Sequence, residues 1–181
     1  MERTVDPVVA IAILGQGLPL VDVLVSGPLT LRYLPAWDTI AVPIVIRNCV
    51  LDHLDAGFIL FEAPVVLENV DVVGACLFHS CFFTAGFSAT GCHFRSGVDF
   101  AWGGHNMNGS MFTLQDCQFD GFADFDDDWF KGPVSIRGCA FRGGANLFGM
   151  KGQPNQVVFD VEPTVEGNAG RLDLDEAPSA G

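Results

Sequence analysis

Tyrosine is nearly missing from this chain, basic residues are scarce, and no apolar run is long enough to cross a bilayer. One Tyr stands against 16 Phe, so the rings bring almost no hydroxyl groups and belong to a filled interior. Nine Lys and Arg face 22 Asp and Glu, for a net charge of -13. With so few cations to meet phosphates, nucleic acid is not an expected partner. The most apolar stretch, Pro7 to Leu20, is interrupted by Gly15, Gln16, Gly17 and Pro19 and is followed by Asp22. A helical span needs roughly 20 apolar residues, so no membrane segment is expected. Met1 to Asp6 holds two acidic residues and one Arg, unlike the positive start of a secretory signal. The chain therefore reads as cytoplasmic.

Reactive motifs are also lacking. Six cysteines occur without a CxxC pair, and His53, His79, His93 and His105 have no metal-ligand spacing, so neither a metal nor a cofactor is expected. Gly15-Gln16-Gly17 lacks the rest of a dinucleotide fingerprint, and Gly103-Gly104 precedes no helical pattern. No catalytic residue is assigned. No segment shows a sustained 3.6-residue period, which leaves little room for helix.

A repeat is present instead. Alignment on Cys49, Val70, Cys92, Cys117 and Cys139 gives spacings of 21, 22, 25 and 22 residues. Five positions earlier stand Ile44, Val65, Phe87, Phe112 and Val134; three earlier stand Ile46, Leu67, Ala89, Leu114 and Ile136. Polar residues such as Arg47, Glu68, Thr90, Gln115 and Arg137 lie beside them, giving the period of two expected of a half-buried strand. Directly before the anchor come Asn48, Asn69, Gly91, Asp116 and Gly138, the types that tolerate positive φ at least cost. That column predicts a sharp bend, after which a second strand carries Leu51, Val72, Phe94, Phe119 and Phe141. A loose corner with Gly74, Gly121 and Gly143 leads to third strands around Phe58, Leu77, Phe100, Phe125 and Leu147.

The expected fold is all-β: one right-handed parallel β-solenoid, or β-helix, of about five coils of 21 to 25 residues. Residues 1–159 form the domain, with 1–42 as N-terminal cap and imperfect first coil and 43–159 as regular coils. Residues 160–181, acidic and rich in Gly, Pro and Ala, are expected to form a disordered tail, or else to cover the C-terminal edge. Cys49, Cys92, Cys117 and Cys139 read as core thiols, while Cys76 and Cys81 fall outside the column.

Val98-Asp99-Phe100, Ala123-Asp124-Phe125 and Ala145-Asn146-Leu147, with Gly91-Cys92-His93-Phe94, Asp116-Cys117-Gln118-Phe119 and Gly138-Cys139-Ala140-Phe141, resemble the core of pentapeptide-repeat proteins over residues 87–148. The strict period of five is not apparent, and the coils exceed four pentapeptides. The resemblance implies a rod-shaped, usually non-enzymatic protein, some members of the family being DNA mimics that bind topoisomerases.

One corner invites a functional reading. The longest coil inserts Trp102 to Gly109, and the next brings Asp126-Asp127-Asp128-Trp129 to the same place. Trp102, His105, Asp126, Asp127, Asp128 and Trp129 are therefore the expected partner-binding edge of a non-catalytic interaction or assembly module. Its partner would be a basic protein, or another copy of the chain through the solenoid ends. The alternative is a small carbohydrate-binding or carbohydrate-active β-helix, since solenoid enzymes acting on polysaccharides use loop-flanked acidic residues.

Overall fold

The computed structural model describes residues 3–34, 38–104, 106–107 and 109–177. Short strands stack in parallel to form a β-solenoid of about six turns. A two-to-four-residue strand has too few hydrogen bonds to stand alone, so each pairs with its copies one coil above and below.

The register follows the sequence columns. Ile44–Arg47, Val65–Glu68, Phe87–Thr90, Phe112–Gln115 and Val134–Arg137 pair in order, placing Ile44, Val65, Phe87, Phe112 and Val134 in one ladder. The first bend is left-handed at Asn48, Asn69, Gly91, Asp116 and Gly138, with φ of 50°, 52°, 63°, 52° and 65°. Leu51, Val72, Phe94, Phe119 and Phe141 then form the second ladder.

The third ladder differs from the expectation. Its inward residues are Ala56, Phe78, Phe100, Phe125 and Leu147, all buried. Phe58 is exposed, and Leu77, on the outer face, is half-buried. Each coil also has a fourth face: Thr39–Ile40, Leu60–Phe61 and Phe82–Phe83 pair there, as do Trp129–Phe130 and Val158–Phe159. In the coil from Ile44 to Phe61 the buried positions 44, 49, 54 and 59, and 46, 51, 56 and 61, each recur every five residues. Later coils carry one extra residue at the glycine corner between the second and third faces, which hides that period.

Phenylalanine stacks along the axis on every face. Ring centroids lie 5.0 Å apart for Phe87 and Phe112, 4.9 Å for Phe94 and Phe119, 4.6 Å for Phe119 and Phe141, 5.2 Å for Phe100 and Phe125, and 5.5 Å for Phe61 and Phe83. Tyr would bring a hydroxyl needing a partner into this core, which explains why Phe dominates. All six cysteines are buried and unpaired, Cys76 and Cys81 on the third and fourth faces. Burial pushes the Cys81 thiol up to about 12.

Both ends depart from simple coils. Arg3–Val5 adds a parallel strand to Val23–Thr30, and helix α1 (Pro7–Leu14) follows. Asp6 caps α1 by accepting the Val8 N–H at 2.8 Å, and Pro7 occupies the first turn. At the other end, residues after Asp160 continue the solenoid: Thr164–Glu166 pairs with Val134–Arg137 and Ala169–Gly170 with Ala140–Phe141. The expected domain end at 159 and disordered tail are corrected accordingly. Asn168 anchors the added coil, accepting the Cys139 N–H at 2.8 Å and donating to the Ile136 carbonyl at 2.9 Å.

Candidate functional site

A second bend joins the third and fourth faces. Asp55, Asp99 and Asp124 start it, each Oδ1 accepting the backbone N–H two residues ahead at 3.1, 3.0 and 3.0 Å. These Asx turns tighten the chain, which then turns left-handed at Phe58, Ser80, Trp102, Asp127 and Met150, with φ of 63°, 55°, 64°, 56° and 55°. A left-handed conformation costs a residue with a Cβ about 1–2 kcal/mol. The first bend meets that demand mostly with Asn and Gly, whereas the second carries two aromatic rings.

Those rings define the candidate edge. Trp102 is 57% exposed and Trp129 44%, and Phe58 is similarly open. Asp127 occupies the bend position one coil after Trp102 and is exposed. Asp126 is half-buried; its Oδ1 accepts from Asn155 Nδ2 at 2.6 Å, and its backbone carbonyl accepts the Trp102 N–H at 2.7 Å. Burial, with Asp124 nearby, raises the Asp126 carboxyl above its ordinary range. The Trp129 indole donates to Asp160 Oδ1 at 2.9 Å, and Lys131 Nζ stands 4.6 Å from its ring centroid. Arg32 stands 5.5 Å from the Phe58 centroid, with His79 edge-on to that ring at 4.7 Å.

Asp128 is not part of this surface. It occupies the inward column after Ile59, Cys81 and Gly103 and is 1% exposed. Its Oδ1 accepts the Gly103 N–H at 2.8 Å, while Oδ2 is buried without a hydrogen-bond partner among the described residues. A side chain at Gly103 would collide with the Cys81 carbonyl, so the glycine lets the coils close there. Burial, then the charges of Asp124, Asp99 and Asp127, raises the Asp128 carboxyl well above its usual range. The expected run of three surface aspartates is thus corrected to one exposed, one half-buried and one interior. The signal was available: Cys81, Gly103 and Asp128 each follow their anchors Val70, Cys92 and Cys117 by eleven residues.

His105 lies outside the described residues. In the same insertion Asn106, passed over in the sequence, is fully buried. It accepts the Gly132 N–H at 2.8 Å and donates to Pro133 O at 2.9 Å and Ser110 O at 3.1 Å, pinning the loop to the next coil.

A second polar cluster, also missed, lies on the outer side of the second face. His93 Nε2 is 2.6 Å from Asp120 Oδ2 and its Nδ1 is 3.9 Å from Asp71 Oδ1. Arg95 grips Asp71 with bonds of 2.8 and 2.7 Å, and Arg142 reaches Asp120 at 3.0 Å. Arg95 holds the Asp71 carboxyl below its ordinary range, and the hydrogen bond with His93 does the same for Asp120. These charges satisfy one another and fasten consecutive coils. Among the described residues, no three His, Cys, Asp or Glu converge as metal ligands.

No family model matches the chain, and neither a curated protein nor a solved structure matches it.

Proposed function

We propose that this protein is a non-catalytic β-solenoid that binds a partner protein through the edge formed by Trp102, Asp126, Asp127 and Trp129. The observation that carries the reading is the exposure of two indoles beside carboxylates at a strained bend. Exposed Trp supplies desolvation energy at an interface, and neighbouring carboxylates steer a basic partner toward it. The net charge of -13 acts in the same direction. The likeness of residues 87–148 to pentapeptide repeats, which are usually non-enzymatic, supports this reading. Six unpaired thiols suit a reducing compartment such as the cytoplasm.

Sugar binding is the alternative from another class. Trp102 beside the hydrogen-bonding groups of Asp126 and Asn155 would suit a pyranose ring stacked on the indole. Affinity capture with the wild-type protein and a Trp102→Asn, Asp127→Asn, Trp129→Gln variant separates these readings. A partner lost only with the edge variant supports protein binding. A partner retained undiminished by it sinks the assignment of this edge, and thermal stabilisation by oligosaccharides that vanishes in the variant selects the alternative.

A further inference from the structure

The geometry points to Trp102 and Asp127 as a docking site for an arginine side chain of the partner protein, a deepening that rests on the proposed interaction edge.

Three exposed rings lie along the second bend and the adjoining face, and two already carry a cation of this chain. Arg32 lies over Phe58 and Lys131 over Trp129. Trp102 is the most exposed of the three, and among the described residues no Lys or Arg stands over it. The same surface chemistry that satisfies its neighbours is therefore open at Trp102 for a cation from outside.

The site is also held in place. The Trp102 backbone N–H donates to the Asp126 carbonyl at 2.7 Å, and Asn155 holds the Asp126 carboxylate at 2.6 Å, so the bend that presents the indole is fixed while 57% of the residue stays in solvent. Asp127 projects from the equivalent bend position one coil away, at about the 4.8 Å spacing of paired strands. A flat ring and a carboxylate presented from adjacent coils match a guanidinium, which can stack by its face and donate N–H bonds from its edge. An ammonium is a compact, strongly hydrated charge and cannot make both contacts in the same way. The chain's acidic excess draws such a cation in and opposes an anionic one.

The test uses the full chain with 15N-labelled tryptophan, titrated with a short Gly-Ser peptide bearing arginine, and with matched peptides bearing lysine or the neutral isostere citrulline. The Trp102 indole resonance is assigned by its loss in Trp102→Asn. Asn tolerates the left-handed bend, so this variant and Asp127→Asn should melt cooperatively like the parent. The arginine peptide should shift the Trp102 signal saturably, and added salt should weaken it. Lysine or citrulline, or Asp127→Asn, should reduce affinity at least about fivefold. Equal affinity for arginine and citrulline peptides, or for the parent and Asp127→Asn, would overturn the inference. If a partner depends on the edge but the arginine peptide never moves Trp102, the arginine assignment falls while the interaction reading stands.

Discussion

Replacing Asp128 by Asn tests whether a carboxylic acid is buried in protonated form inside this solenoid. Asn fills the same volume, keeps an oxygen to accept the Gly103 N–H now bonded at 2.8 Å, and carries no ionisable proton. In the unfolded chain an Asp loses its proton near pH ~3.9. In the folded chain burial, reinforced by Asp124, Asp99 and Asp127, keeps Asp128 protonated well above that. The folded state therefore binds a proton that the unfolded state has released. The favourable contribution is fully present below the unfolded value and is lost as pH rises toward the raised one, at about 1.4 kcal/mol per pH unit. Asn escapes this loss, so its stability relative to Asp should rise by about 2.7 kcal/mol over two pH units within the window. Urea unfolding of both proteins at steps between about pH 4 and pH 8 reads the difference directly. A constant offset would reflect packing and is immaterial. A difference with no slope in pH would show that Asp128 titrates normally and turns to solvent, refuting its interior placement.

Two further expectations follow from packing and charge. Phe119 is fully buried between Phe94 at 4.9 Å and Phe141 at 4.6 Å, so Phe119→Ala should cost about 3–5 kcal/mol in urea unfolding, and a loss below about 1 kcal/mol would contradict a continuous stack. At the acid end, Asp71 and Asp120 have lowered carboxyl values, so their contribution is present above the unfolded value near pH ~3.9 and lost as pH falls through the lowered ones. The double variant Asp71→Asn, Asp120→Asn should flatten the stability profile there; an unchanged acid limb would remove the network from the account.

What was legible in the sequence was whatever the backbone restricts. The first bend requires a left-handed residue in every coil, and Asn48, Asn69, Gly91, Asp116 and Gly138 announce it. The flanking ladders follow because a strand alternates faces. The fourth face was hidden by one extra residue at the glycine corner, which shifts Phe78 and Phe100 off the period of five that Ile44 to Phe61 keep. Helix α1 was hidden because Val8, Val9, Ile11 and Ile13 make it apolar on all sides, leaving no amphipathic period to read. The final coil looked disordered because its composition is acidic, yet backbone pairing and Asn168 hold it to Cys139 and Ile136. The charge of Asp128 argues for the surface, yet its position eleven residues after Cys117 places it in the inward column.

The contrast between the two bends bears on function. At the first, the side chains are used within the solenoid: Asn48 donates to Asp22 at 3.0 Å and Asn69 to Asn48 at 3.1 Å. Gly91 continues the column by making room, since a Cβ there would stand 2.6 Å from the Asn69 oxygen. At the second bend Trp102 holds φ of 64° with 57% of its surface in solvent. The left-handed backbone costs about 1–2 kcal/mol, and an exposed ring recovers little of this within the folded chain. Covering roughly 100 Å² of that indole would contribute about 2.5 kcal/mol at 25 cal/mol per Å². On the proposed reading, a partner lying on the ring offsets the strain and the solvent exposure together. A bend that needed only to turn would be served better by Asn or Gly, as the first bend is, and the proposed interaction edge would give the tryptophan a use outside the solenoid.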